Sequence, residues 1–330
     1  MRTARYTKIF GLIIVAVVAL ISGIAVGKIF VSMSSVAQTV SGKAADYQDS
    51  ENDIEALYKR SVNGAAVSSF NAVELYEIAD YRLRHASAYY RVMGGNVVAN
   101  AMGINVNQVQ STYRWYKDGV YVTNKLSPST SSMAPAVKLR VVYDSNTKSV
   151  RMNQTGEFQS IDLPITAVYD DSKDEVYTEE QYLNKYYVQK EQDSKHDAQN
   201  VSPVISSLSE ATMPYIVSSL TCSQNTFDKT PKNNGDGTYT FTINMSDDHL
   251  NVAGMVYAKE INISAEVATF VRWKTLEMKV TIDSSFNFKE ISYTEVYQMK
   301  HKSTGVLSTV TNKFVDKFSF ENVPAFEEVL

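Results

Sequence analysis

Cysteine is nearly absent: Cys222 stands alone, so no intrachain disulfide can brace the fold and the core must stabilise it unaided. Catalytic signatures are missing too. The chain contains no G-x-S-x-G elbow, no phosphate-binding G-x-x-x-x-G-K-[ST] loop, no H-E-x-x-H and no C-x-x-C. The four histidines (His85, His196, His249, His301) are scattered. We therefore expect no enzyme, no cofactor and no metal centre. A net charge of −4 gives no basic face for nucleic-acid phosphates, so a nucleic-acid partner is not expected. Long like-charge blocks are also lacking, which argues against electrostatic binding to a membrane surface.

What the sequence does have begins at its N-terminus. Residues 9–27, IFGLIIVAVVALISGIAVG, form an uncharged apolar run. As a helix it extends about 28 Å at 1.5 Å per residue, close to the hydrocarbon thickness of a bilayer. Arg2, Arg5 and Lys8 precede it, whereas Asp46, Asp49, Glu51 and Asp53 follow. The positive-inside rule then places residues 1–8 in the cytoplasm, residues 9–31 as a transmembrane signal anchor, and the body outside the cytoplasm in the cell envelope. A cleaved signal peptide is the competing reading, with Ser35-Val36-Ala37 as its processing site. No lipid-attachment cysteine is present near the run.

Residues 32–69 read as a stalk and residues 70–330 as one extracytoplasmic domain. Asn71 followed by Glu74 is a capping-box pattern opening a helix. The pattern then changes to period two. Residues 109–126 alternate and reverse at Lys117-Asp118-Gly119, and residues 137–153 do the same around Asp144-Ser145-Asn146-Thr147. Gly94-Gly95 reads as a turn. Residues 179–190, 204–220 and 249–261 are candidate helices, and 225–237 a loop or turn. Leu276, Met278, Val280 and Ile282 share one strand face, and Ile291, Tyr293, Tyr297 and Met299 share another. The expected fold class is α+β: a transmembrane helix, then a curved, half-barrel-like antiparallel sheet with helices packed on its concave face.

Four stretches resemble the LolA/LppX-like family of cell-envelope lipid and lipoprotein carriers. They are Tyr239-Thr240-Phe241-Thr242-Ile243-Asn244, Leu276 to Asp283, Ile291 to Tyr297, and Lys317-Phe318-Ser319-Phe320. They also look like exported proteins of Gram-positive bacteria carrying such a domain. The resemblance implies an open half-barrel whose apolar hollow holds acyl chains beneath helical lids. A retained anchor departs from free carriers and favours local binding, presentation or sensing.

The expected function is thus a non-enzymatic, membrane-anchored domain that binds a hydrophobic or lipid-like ligand in a sheet groove. The expected lining is Leu276, Met278, Val280, Ile291, Tyr293, Glu295, Tyr297 and Met299. A structural or partner-binding module of an envelope assembly is the alternative. Glu295 shares a face with Tyr293 and Tyr297, so its carboxylate needs a buried partner, a raised pKa or a ligand headgroup. Asp316, between Phe314 and Phe318, raises the same question. Asp247-Asp248-His249 reads as a helix cap in preference to a metal site. The 21 tyrosines suit a groove rim or a half-buried sheet equally.

Overall fold

The structure, a computed structural model, describes residues 54–127, 137–155, 174–178, 180–181, 227–244, 268–301 and 305–326. The anchor segment, the candidate helices at 204–220 and 249–261, nearly all of that at 179–190, and Asp247-Asp248-His249 lie outside these residues. No helix among the described residues is long and apolar enough to cross a membrane.

Residues 54–62 form a first helix (α1), with Ile54 buried. A short 3-10 turn at Val67–Ser69 leads to α2, Ala72–Arg84. The capping box is present as expected. Asn71 N donates to Glu74 Oε2 (2.8 Å) and Glu74 N donates to Asn71 Oδ1 (3.0 Å), satisfying two donors that the helix start leaves over.

Everything after α2 that is described is dominated by one eleven-stranded antiparallel sheet. Its strands are β1 (Ala88–Ala101), β2 (Ile104–Lys117), β3 (Val120–Ser127), β4 (Val137–Asp144), β5 (Ser149–Thr155), β6 (Glu175–Thr178), β7 (Lys232–Asn233), β8 (Thr238–Asn244), β9 (Ala268–Asp283), β10 (Phe288–His301) and β11 (Leu307–Ser319). Their order is β6-β5-β4-β3-β2-β1-β11-β10-β9-β8-β7. Two meanders, β1–β6 and β7–β11, therefore meet at a single seam where β1 pairs with β11.

This overturns the α+β expectation of helices set over a concave face. Among the described residues the sheet carries the architecture, and both α1 and α2 precede it. The physical reason lies in strand length. Runs of 14 to 16 residues in β1, β2, β9 and β10 keep two-residue alternation and pair into one continuous sheet.

The turns follow their local chemistry. Asp118 and Gly119 both have positive φ (52° and 80°), the type I′ geometry that the Asp-Gly pair anticipates between β2 and β3. In the β7–β8 turn, Asp236 Oδ1 accepts from Thr238 N at 3.0 Å. Gly94-Gly95, in contrast, is no turn: both lie inside β1. Gly95 sits directly opposite Phe314, and a β-carbon there would collide with the Lys313 carbonyl oxygen and the Phe314 ring. Glycine is needed for close approach, not for reversal.

The main core lies between α2 and one face of the sheet, called here the helix-side face. Leu75, Tyr76, Ile78, Ala79 and Leu83 of α2 cluster with Phe241, Val280, Phe288, Ile291 and Phe318. The Tyr76 and Phe288 rings are 5.3 Å apart, and Phe288 and Phe318 are 5.2 Å apart. Each fully buried aliphatic or aromatic side chain contributes about 1.5–3 kcal/mol. Gly95→Ala should cost about 1–3 kcal/mol through overpacking at the seam, read as a lowered midpoint in urea unfolding.

Candidate functional site

Register across the sheet assembles the site. One row of directly opposed residues runs Phe241, Val280, Ile291, Asp316, Met93, Thr112 across β8, β9, β10, β11, β1 and β2. The next runs Ile243, Met278, Tyr293, Phe314, Gly95, Gln110, and the third runs Leu276, Glu295, Asn312, Val97, Gln108. Each row begins apolar on β8 or β9 and ends polar on β2.

Leu276, Met278, Val280, Ile291, Tyr293, Glu295 and Tyr297 are brought together on this face. Val280 faces Ile291, Met278 faces Tyr293 and Leu276 faces Glu295 across the β9–β10 pair. Leu276, Met278, Val280, Ile291, Glu295 and Tyr297 are buried, and Tyr293 is half-buried. Met299 continues β10 in register with Ser308 and Val271. Leu276, Met278, Val280 and Ile291 belong to the same core cluster as the α2 side chains. That end of the face is packed by the protein's own helix.

Glu295 and Asp316 find protein partners. Asn312 Nδ2 donates to Glu295 Oε2 at 2.8 Å, the two residues being opposed on β11 and β10. Arg91 Nε donates to Asp316 Oδ2 at 2.6 Å, and both side chains are almost fully enclosed. The Arg91 guanidinium also lies over the Phe318 ring, 5.0 Å from its centroid. Burial acts against the Arg91 charge, but the adjacent Asp316 carboxylate overrides it and holds the group firmly protonated. This pair spans the β1–β11 seam.

Tyr297 is 4% exposed. Burial first, and then the neighbouring Glu295 charge, raise its phenol pKa well above the ordinary value near 10.

The period-two reading of residues 109–126 finds much of β2 and β3 but leaves open which face of β2 turns inward. Its alternation looks as if Val109, Tyr113 and Trp115 should face the core. Instead Gln108, Gln110, Thr112 and Arg114 occupy the helix-side face at 0, 5, 1 and 1% exposure, while Val109 points out at 38%. Arg91 and Arg114 are direct cross-strand partners. The missed signal is positional: Arg91 sits between Tyr89 and Met93 on one face of β1, and register with β1 then turns the polar side of β2 inward.

No protein-family model matches the chain. No curated protein matches it either. Among solved structures it is similar to a DUF1329-family protein from Desulfovibrio piger (9% identity, 75% of this chain and 89% of that chain, TM-score 0.22). It is also similar to Neisserial surface protein A (5%, 70% and 97%, TM-score 0.16) and to the outer membrane protein OprG from Pseudomonas aeruginosa (8%, 71% and 95%, TM-score 0.11). These are weak fold-level likenesses.

Two outcomes follow. Asp316→Ala leaves the Arg91 charge buried without its carboxylate and should cost about 3–5 kcal/mol, whereas Arg91→Met with Asp316→Leu should recover much of that loss in chemical denaturation. For Tyr297, the unfolded chain releases its proton near pH 10 while the folded chain retains it, so unfolding becomes easier as pH rises through that value. Stability should fall by up to about 1.4 kcal/mol per pH unit there, and Tyr297→Phe should remove that contribution.

Proposed function

We propose that this chain is a non-enzymatic, membrane-anchored extracytoplasmic domain that binds a hydrophobic or lipid-like ligand on the helix-side face of its sheet. The inward-facing polar side of β2 carries this reading. These polar side chains are buried on the same face as the apolar strands, and Gln108, Gln110 and Arg114 each take part in interactions there. Places where a sequence breaks the local burial rule are where function is expected. Here a buried strip of Gln108, Gln110, Thr112 and Arg114 adjoins Val97, Phe314, Tyr293 and Met278 in continuous rows. An amphiphile matches that arrangement, its chain along the apolar strands and its polar end toward β2.

α2 already clusters with Phe241, Leu276, Met278, Val280 and Ile291, so the ligand enters at the half-buried Tyr293, between that end and the β2 strip. The location rests on the apolar run at 9–27 and its charge flanks. An anchored binder holds or presents its ligand at the bilayer and does not ferry it.

A second reading is favoured by one observation. Met102 (67% exposed) at the β1–β2 turn and Leu307 (50%) at the start of β11 lie at the same end of neighbouring strands, where Ala101 faces Ser308. Two large exposed apolar side chains at one end of adjacent strands suit a protein partner within an envelope assembly.

Native mass spectrometry of the gently extracted full chain should show a co-purifying hydrophobic mass, and the protein should take up a fluorescent long-chain fatty acid. Gln110→Met should weaken that uptake about tenfold with an unchanged melting temperature. Absence of both bound mass and uptake would sink the ligand reading. A lowered melting temperature with unaltered uptake would make the β2 strip purely structural.

A further inference from the structure

We infer that residues 320–326 are a detachable clasp that ties the end of β11 across β1 to β2, β3 and β4 on the face opposite α2. The track is laid out by register. Ser319, the last residue of β11, faces Tyr90; Tyr90 faces Trp115; Trp115 faces Val122; and Val122 faces Val142. This forms one continuous row across five strands, and Trp115, Val122 and Val142 make a separate apolar cluster there.

The chain leaves β11 and turns back along that row. Ser319 Oγ donates to the Glu321 carbonyl at 2.6 Å, and Asn322 takes a left-handed φ of 54°, a conformation asparagine tolerates better than most residues. Val323 and Phe326 then pack against the Trp115 cluster. The Trp115 indole Nε1 donates to the Pro324 carbonyl at 2.8 Å, and the Trp115 and Phe326 rings lie 5.5 Å apart.

The attachment has the properties of a low-stability element. Val323 and Phe326 are only partly buried, and Glu321, Asn322 and Ala325 are exposed. Such a segment opens at much lower free energy than the sheet beneath it. Its path crosses the β1–β11 seam, the pairing that joins the two meanders. Seated, it couples β11 to β2–β4; released, it leaves that coupling to the backbone pairing of β1 alone. The inference does not depend on what the opposite face binds.

Hydrogen exchange by mass spectrometry on the full chain tests it. With Phe326→Ala, amides in residues 113–123 and 140–144 should exchange about tenfold faster, while residues 276–298 stay unchanged. In a Trp273→Phe background, Trp115 emission should shift to longer wavelength on the same substitution, and Trp115→Phe should reproduce the exchange change by removing the donor. Unchanged exchange, or acceleration spread evenly over both meanders, would overturn the clasp.

Discussion

The whole architecture hangs on one pairing, β1 against β11, in register from Tyr90 with Ser319 to Ala101 with Ser308. Every other strand pairs with a sequence neighbour, so its register is set by a turn or a connection nearby. β1 and β11 are more than two hundred residues apart, and no turn aligns them. Side chains must do so: Gly95 accepts the Phe314 ring, and Arg91 meets Asp316. A slip by one residue would put Arg91 on the wrong face and drive the Phe314 ring against a different side chain. The buried ion pair is poor value as simple stabilisation, but it penalises misregistered pairings heavily, which is the role best attested for such pairs.

From that register the rest follows in order. Met93, Gly95 and Val97 face α2's side of the sheet, so their partners Thr112, Gln110 and Gln108 must do so as well. The polar inner strip of β2 is thus a geometric consequence of the seam. On the other face the same alignment lines up Tyr90, Trp115, Val122 and Val142, which become the track for residues 320–326. A single long-range pairing creates both the amphipathic face and the clasped one.

Much of this was legible in the sequence wherever the signal was local. Asn71 with Glu74, Asp118-Gly119 and the Asp144–Thr147 turn each needed only a few adjacent residues, and the face counts for Leu276 to Ile282 and Ile291 to Tyr297 needed only period two. The failures share a different cause. Gly94-Gly95 resembled a turn because its reason, the Phe314 ring, lies far along the chain. The inward face of β2 was not legible because its own alternation favours Val109 and Trp115 inward, and only pairing with β1 reverses that. Glu295 and Asp316 were recognisable as buried carboxylates, but Asn312 and Arg91 could be matched to them only by strand order.

Disulfide trapping across the seam tests this most directly. In a Cys222→Ser background, Asn96→Cys with Lys313→Cys places two thiols on opposed residues of the exposed face. Mild oxidation should cross-link that pair rapidly, while Asn96→Cys with Lys317→Cys, four residues out of register, should stay reduced. Equal or preferential cross-linking of the second pair would contradict the register from which the amphipathic face and the clasp both derive.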